Sequence, residues 1–178
     1  MLYDYTELIN KYKNDYQIKK ALKEKRIYKL KPGLYSDKPK VDTLKILMHE
    51  RKDAILTLQS AFYYYGLTDY IPKYIYVATP QNAYPINNSK IKQIFLKNHK
   101  LGKIKIKQND YYICIYDLER TLIELIRYET KMPYEEYYHV LRNFRKVKNK
   151  LDFNKLNNYA KQFRSYEKII KTIEMAII

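Results

Sequence analysis

Cysteine, glycine and histidine are scarce in this chain: one, three and three among 178 residues. A lone Cys114 permits neither a disulfide nor a CxxC pair, and its apolar surroundings make it a small core residue. Gly33, Gly66 and Gly102 stand far apart, so no glycine-rich loop can cradle a phosphate, which argues against nucleotide hydrolysis. His49, His99 and His139 fall in neither HxH nor HxxxH spacing and no Cys or carboxylate cluster joins them, so no metal and no cofactor are expected. No apolar run approaches the ~18 residues of a membrane span. Leu2 to Asp15 is polar and charged with no small-residue cleavage site, so no membrane association and a cytoplasmic location are expected.

Acidic residues are also few: 19 Asp/Glu stand against 35 Lys/Arg, a net charge of +16. Lys, Ile, Asn and Tyr are abundant together, as an AT-rich genome produces, so the total says less than its distribution. Residues 1–36 carry +5, residues 90–107 carry +7 and residues 141–171 carry +8, leaving a mildly acidic remainder. Localised positive charge of this kind suits a partner rich in phosphate, and equally an RNA or an acidic protein. Hydrophobic content of 46% suffices for a core.

The first segment has the clearest pattern. Leu2, Tyr5, Leu8, Ile9 and Tyr12 recur at helical spacing and predict a helix over about residues 3–13. Asn14 and Asp15 offer a turn and an N-cap for a second helix whose narrow inward face is Ile18, Ala21 and Leu22. Residues 26–30 then alternate with period two, and Pro32-Gly33 suits a type II turn into Leu34-Tyr35-Ser36. Two helices and a hairpin outline a small winged helix-turn-helix over residues 1–37. Its second helix is then the recognition helix, with Tyr16, Gln17 and Lys20 near bases and Lys19, Lys23, Lys25, Arg26, Lys29 and Lys31 on phosphates. The same pattern also describes a solvated basic face on a helical hairpin, and the wing tips the balance.

Residues 36–40 are polar and broken by Pro39, which places a domain boundary there and a second domain over 38–178. Helices are expected near 41–48, over 54–65 ending at Gly66, and then strands at 74–78, 91–96, 103–107 and 111–116, with residues 81–89 as a loop. These strands predict a mostly antiparallel sheet. Helical spacing returns after Asp117 and at Pro133, and again over about 152–163 and 165–177. The fold class is therefore α+β, a winged helix-turn-helix followed by a sheet with several flanking helices. The 22 tyrosines are mostly core or half-buried positions, although Tyr63-Tyr64-Tyr65 and Tyr137-Tyr138 cannot all be covered.

No catalytic constellation emerges. A metal-dependent nuclease needs carboxylates beside a strand, and the strands here carry lysine. The acidic cluster after the last strand has a structural explanation: Asp117 caps a helix, and Glu124 sits four residues after Arg120 and three before Arg127. An enzyme is not expected.

Four segments in order carry a family likeness: Gly33-Leu34-Tyr35-Ser36; Ser60-Ala61 through Gly66-Leu67-Thr68; Tyr74-Ile75-Tyr76-Val77-Ala78-Thr79-Pro80; and Tyr116-Asp117-Leu118-Glu119-Arg120-Thr121-Leu122. On these motifs the chain resembles the AbiEi family of abortive-infection antitoxins over residues 15–126. The resemblance implies an N-terminal winged helix-turn-helix that represses its own operon at inverted repeats in double-stranded DNA, and a C-terminal domain required for antitoxin activity. It further implies, as functional partner, a nucleotidyltransferase toxin opposed without a stable complex, and a monomer in solution that binds DNA cooperatively. The chain departs from the family in having two helices before the wing rather than three, and the helices from Asp152 onward match no family motif. The alternatives are a solitary DNA-binding transcriptional regulator and, further off, a nucleic-acid-processing nuclease of a defence system.

Overall fold

The computed structural model describes every residue from Met1 to Ile178 and divides the chain into two compact units, Met1–Lys52 and Asp53–Ile178. The first unit runs past the boundary that Pro39 suggested. It includes helix α3 (Thr43–Glu50), whose Glu50 carboxylate lies 2.7 Å from the Lys31 ammonium on the hairpin.

Within the first unit, strand β1 (Leu2–Asp4) precedes α1 (Tyr5–Tyr12) and α2 (Asp15–Lys23), and β2 (Tyr28–Lys31) and β3 (Leu34–Ser36) form the hairpin. The predicted helix over 3–13 therefore starts later. Asp4 and Glu7 form a capping box, each accepting the other's backbone N–H at 2.8 Å, and this fixes the helix start at Tyr5. The residues before the cap are free to pair, and β1 joins β3 to make an antiparallel sheet of order β1-β3-β2. Asn14 caps α2 by accepting the Gln17 N–H at 3.0 Å. Lys31 pairs with Leu34, so Pro32 and Gly33 alone make the turn, and the φ of +76° at Gly33 is what a type II turn demands at its third position. Leu8, Ile18, Ala21, Ile27 and Tyr35 form this unit's small core.

The second unit holds a five-stranded sheet of order β6-β5-β4-β8-β7, from β4 (Ile55–Leu56), β5 (Ile75–Pro80), β6 (Ile91–Leu96), β7 (Lys103–Gln108) and β8 (Tyr111–Tyr116). The sheet is mixed and not mostly antiparallel: β5 runs parallel to β6 and β4 to β8, while β4/β5 and β7/β8 are antiparallel. The link between β5 and β6, read from sequence as a loop over residues 81–89, is long enough to carry the chain back so that β6 starts at the same end as β5. The predicted helix over 54–65 divides into β4 and α4 (Leu58–Tyr64), with Leu58 at φ +45° marking the abrupt change of direction. Ala54 to Leu58 is buried throughout, and a short continuous apolar run fits a central strand as well as a helix.

Four further helices follow: α5 (Leu118–Arg127), α6 (Tyr134–Lys146), α7 (Phe153–Ala160) and α8 (Tyr166–Ala176). With α4 they share one core, in which Phe62, Leu122, Leu125, Phe144, Leu156 and Ile169 are among the buried side chains. Helix α5 is the innermost, and every residue from Glu119 to Ile126 is buried, charged ones included. The architecture is α+β, and no helix is long and apolar enough to cross a membrane.

Candidate nucleic-acid interface

The side chains singled out on α2 fall on one exposed stripe. Tyr16, Lys19, Lys20 and Lys23 stand at i, i+3, i+4 and i+7, while Ile18 and Ala21 are buried on the other side. Tyr16 is 72% exposed and so free to meet a ligand. Gln17 is half-buried at the edge of that stripe.

The remaining cations lie beyond the helix. Lys25 is exposed in the turn after α2 with φ +56°, and Lys29 and Lys31 are exposed on β2. Carboxylates already engage some of them. Arg26 is 2.8 Å from Glu24, Lys20 is 3.9 Å from the same carboxylate, and Lys31 is held by Glu50. Lys19, Lys23, Lys25 and Lys29 have no carboxylate partner and are the cations with most charge to offer. The exposed pairs are weak, each worth about 0–1 kcal/mol, so a phosphate can displace them.

Basic residues of the second unit are spread over many of its elements, and two groups stand out by position. Lys103, Lys105 and Lys107 are exposed on the edge strand β7 and alternate with half-buried Ile104 and Ile106; Lys105 sits 4.5 Å over the Tyr112 ring. Lysines on an edge strand also discourage pairing with other chains, which accounts for them without a ligand. On α6 the cations cluster in the last turn, at Arg145 and Lys146, where they complement the helix dipole.

The acidic cluster after β8 is a buried ion-pair network. Asp117 caps α5, accepting the Arg120 N–H at 2.8 Å, and its other oxygen accepts from Tyr159 at 3.1 Å and meets Lys155 at 3.0 Å. Glu119 accepts the Asp152 N–H at 2.9 Å and also meets Lys155 at 3.0 Å. Burial opposes the charge on Lys155, but hydrogen bonds from its ammonium to Asp117 and Glu119 outweigh it and hold its pKa above the usual lysine value. One oxygen of Glu124 accepts from Arg120 Nε at 2.9 Å and from Arg127 Nη1 at 2.6 Å, so both pairings expected from spacing are made. Burial pushes the Tyr65 and Tyr116 phenols well up, leaving both as neutral hydrogen-bond donors, to the Tyr116 and His99 carbonyls. Each carboxylate here is consumed by a cation or an N–H, and no group of His, Cys, Asp and Glu is arranged to hold a metal ion. Sequence spacing found the pairs but not their burial, because a charged stripe on a helix ordinarily reads as solvent-facing.

Compared with models of protein families and with curated proteins, the sequence matches none.

Proposed function

We propose that the protein is a DNA-binding autorepressor of the winged helix-turn-helix type which also serves as the antitoxin of a type IV toxin-antitoxin system. The observation that carries the DNA-binding part is the exposed α2 stripe of Tyr16, Lys19, Lys20 and Lys23 beside a lysine-bearing hairpin. A short amphipathic helix of this kind fits the major groove, with its N-terminal residues at base edges and its flanking cations on phosphates. Pairing of β1 with β3 adds a third strand that stiffens the hairpin as a wing. Double-stranded DNA with inverted repeats upstream of the protein's own gene is the ligand this reading calls for. The antitoxin part rests on the AbiEi-like motif order alone, with a nucleotidyltransferase toxin as the functional partner. Within this reading the Asp117 to Leu122 motif is scaffold, since its carboxylates are spent on Lys155, Arg120 and backbone N–H groups.

Two experiments separate the parts. A gel-shift titration with the upstream duplex and a scrambled one, at two salt concentrations, tests repression: preferential, salt-sensitive binding supports it. Co-expression of the full chain with a neighbouring toxin gene, with and without Lys20→Ala/Lys23→Ala, tests neutralisation: growth rescue that survives the double substitution separates antitoxin action from DNA binding.

A further inference from the structure

The second unit contains a cavity of about 480 Å³ whose lining includes Lys97, Arg120, Arg127 and Arg164 and no carboxylate. Glu124 stands behind two of these guanidinium groups, one negative charge against four positive. Lys97 and Arg164 are exposed and Arg127 is partly so, which leaves a positive excess facing open space.

Leu96 and Arg120 form the buried floor of the cavity, and exposed or half-buried side chains make its rim. Arg120 is fully buried, with its guanidinium carbon 4.8 Å from the centre of the Tyr116 ring and 4.7 Å from that of Phe163, and the Arg127 guanidinium lies 4.5 Å from the centre of the same Phe163 ring. Arg120 Nη1 donates to the Asn98 carbonyl at 3.2 Å. Its Nη2 lies 2.9 Å from Glu124 but is poorly aligned with it and has no directed acceptor. A buried guanidinium donor without an acceptor is costly, and its positive charge adds to the field of the cavity that the residue lines. The N-terminus of α8 opens at the same place: Ser165 and Arg164 line the cavity, and no side chain caps the helix. A second cavity shares Lys97, Asn98 and Gln162 with the first and adds Lys100, which lengthens the positive surface. Phe95, 44% exposed, also lines the first cavity and offers an aromatic face.

We propose that this cavity binds the phosphate chain of a nucleotide, free or at the end of an RNA, with Phe95 as the surface on which the base stacks. Arginine forks recognise phosphate oxygens in pairs, and several cations in a row suit a chain of phosphates better than a single one.

Calorimetric titration of the full chain with ATP, pyrophosphate, adenosine and a 5′-triphosphorylated RNA oligonucleotide tests this. ATP and pyrophosphate should bind and adenosine should not. Lys97→Ala/Arg164→Ala removes two exposed cations and should weaken ATP and pyrophosphate by about tenfold or more with an unchanged melting temperature. Phe95→Ala should weaken ATP but not pyrophosphate. Lys146→Ala/Lys150→Ala, which removes equal charge elsewhere, should change neither. If only the RNA binds, and loses affinity in the Lys97/Arg164 variant, the phosphate chain belongs to an RNA end. Unchanged affinity in that variant, an equal loss in the Lys146/Lys150 control, or no binding of any phosphate ligand would overturn the proposal.

Discussion

Glu124→Gln is the sharpest probe of the buried network. Glutamine keeps the shape of the side chain and its acceptor oxygen but removes the only carboxylate paired with Arg120, which has no exposed surface. Arg127 is 27% exposed and can turn toward water; Arg120 cannot. The two ring contacts of Arg120 contribute ~0.5–2 kcal/mol each. Leaving a buried charge unpaired costs ~3–5 kcal/mol, so the loss dominates. At roughly 2–4 °C per kcal/mol for a chain of this size, the melting temperature should fall by about 6–20 °C. Scanning calorimetry with circular dichroism reads this directly. Adding Arg120→Met removes the stranded charge, so the double variant should melt above Glu124→Gln alone. A drop under about 2 °C for the single variant, or a double variant that melts lower still, would show that Arg120 does not depend on the Glu124 carboxylate.

Two glycines with nearly equal φ should respond differently to alanine. At Gly33 (φ +76°) a Cβ meets nothing, so backbone strain alone costs about 1 kcal/mol, whereas at Gly102 (φ +75°) it would come within 2.5 Å of Arg120 Cβ, and chemical denaturation should show a markedly larger loss. Glu24→Gln frees Lys20 and Arg26 together, so affinity for duplex DNA should rise and the dependence of log K on log salt should steepen by up to about 0.9 for each additional phosphate neutralised; an unchanged slope in a salt titration contradicts the recognition-helix assignment. Burial, with Lys100, Lys103 and Arg120 nearby and Asp53 opposing, keeps the His99 imidazole below its ordinary pKa. The unfolded chain therefore takes up a proton that the folded chain does not, and stability should fall as pH drops through the ordinary histidine value near ~6.5 and level off below the depressed one. Thermal melts from pH 7.5 to 5 should show a decline that His99→Gln reduces.

Much of the fold is legible from local signals. The limits of β6 and β8, the Pro32-Gly33 turn, the Asn14 and Asp117 caps and the helices after Asp117 all follow from periodicity, turn chemistry and capping, which act within a few residues. What those signals miss depends on distant partners. Leu2 and Tyr3 suit the start of a helix, and only β3, more than thirty residues on, makes them a strand. Ile55 and Leu56 are too few to show a period, and their place between β5 and β8 is set by the sheet. The mixed strand directions depend on the path of residues 81–90, which composition leaves open. Among the candidate site residues, the α2 stripe is readable because one helix presents it. The cations of the anion cavity come from α5 and from segments outside the regular elements, and no spacing rule joins Lys97, Arg127 and Arg164.

In the proposed reading α2 and the hairpin recognise particular DNA. A gel-shift titration of the full chain against the duplex upstream of its own gene and a scrambled duplex, repeated with Lys20→Ala/Lys23→Ala, tests it most directly. Preferential binding to the native duplex is expected, with a loss of about tenfold or more in the double variant and folding intact. Equal affinity for both duplexes, or a variant that binds like the wild-type protein, would contradict it.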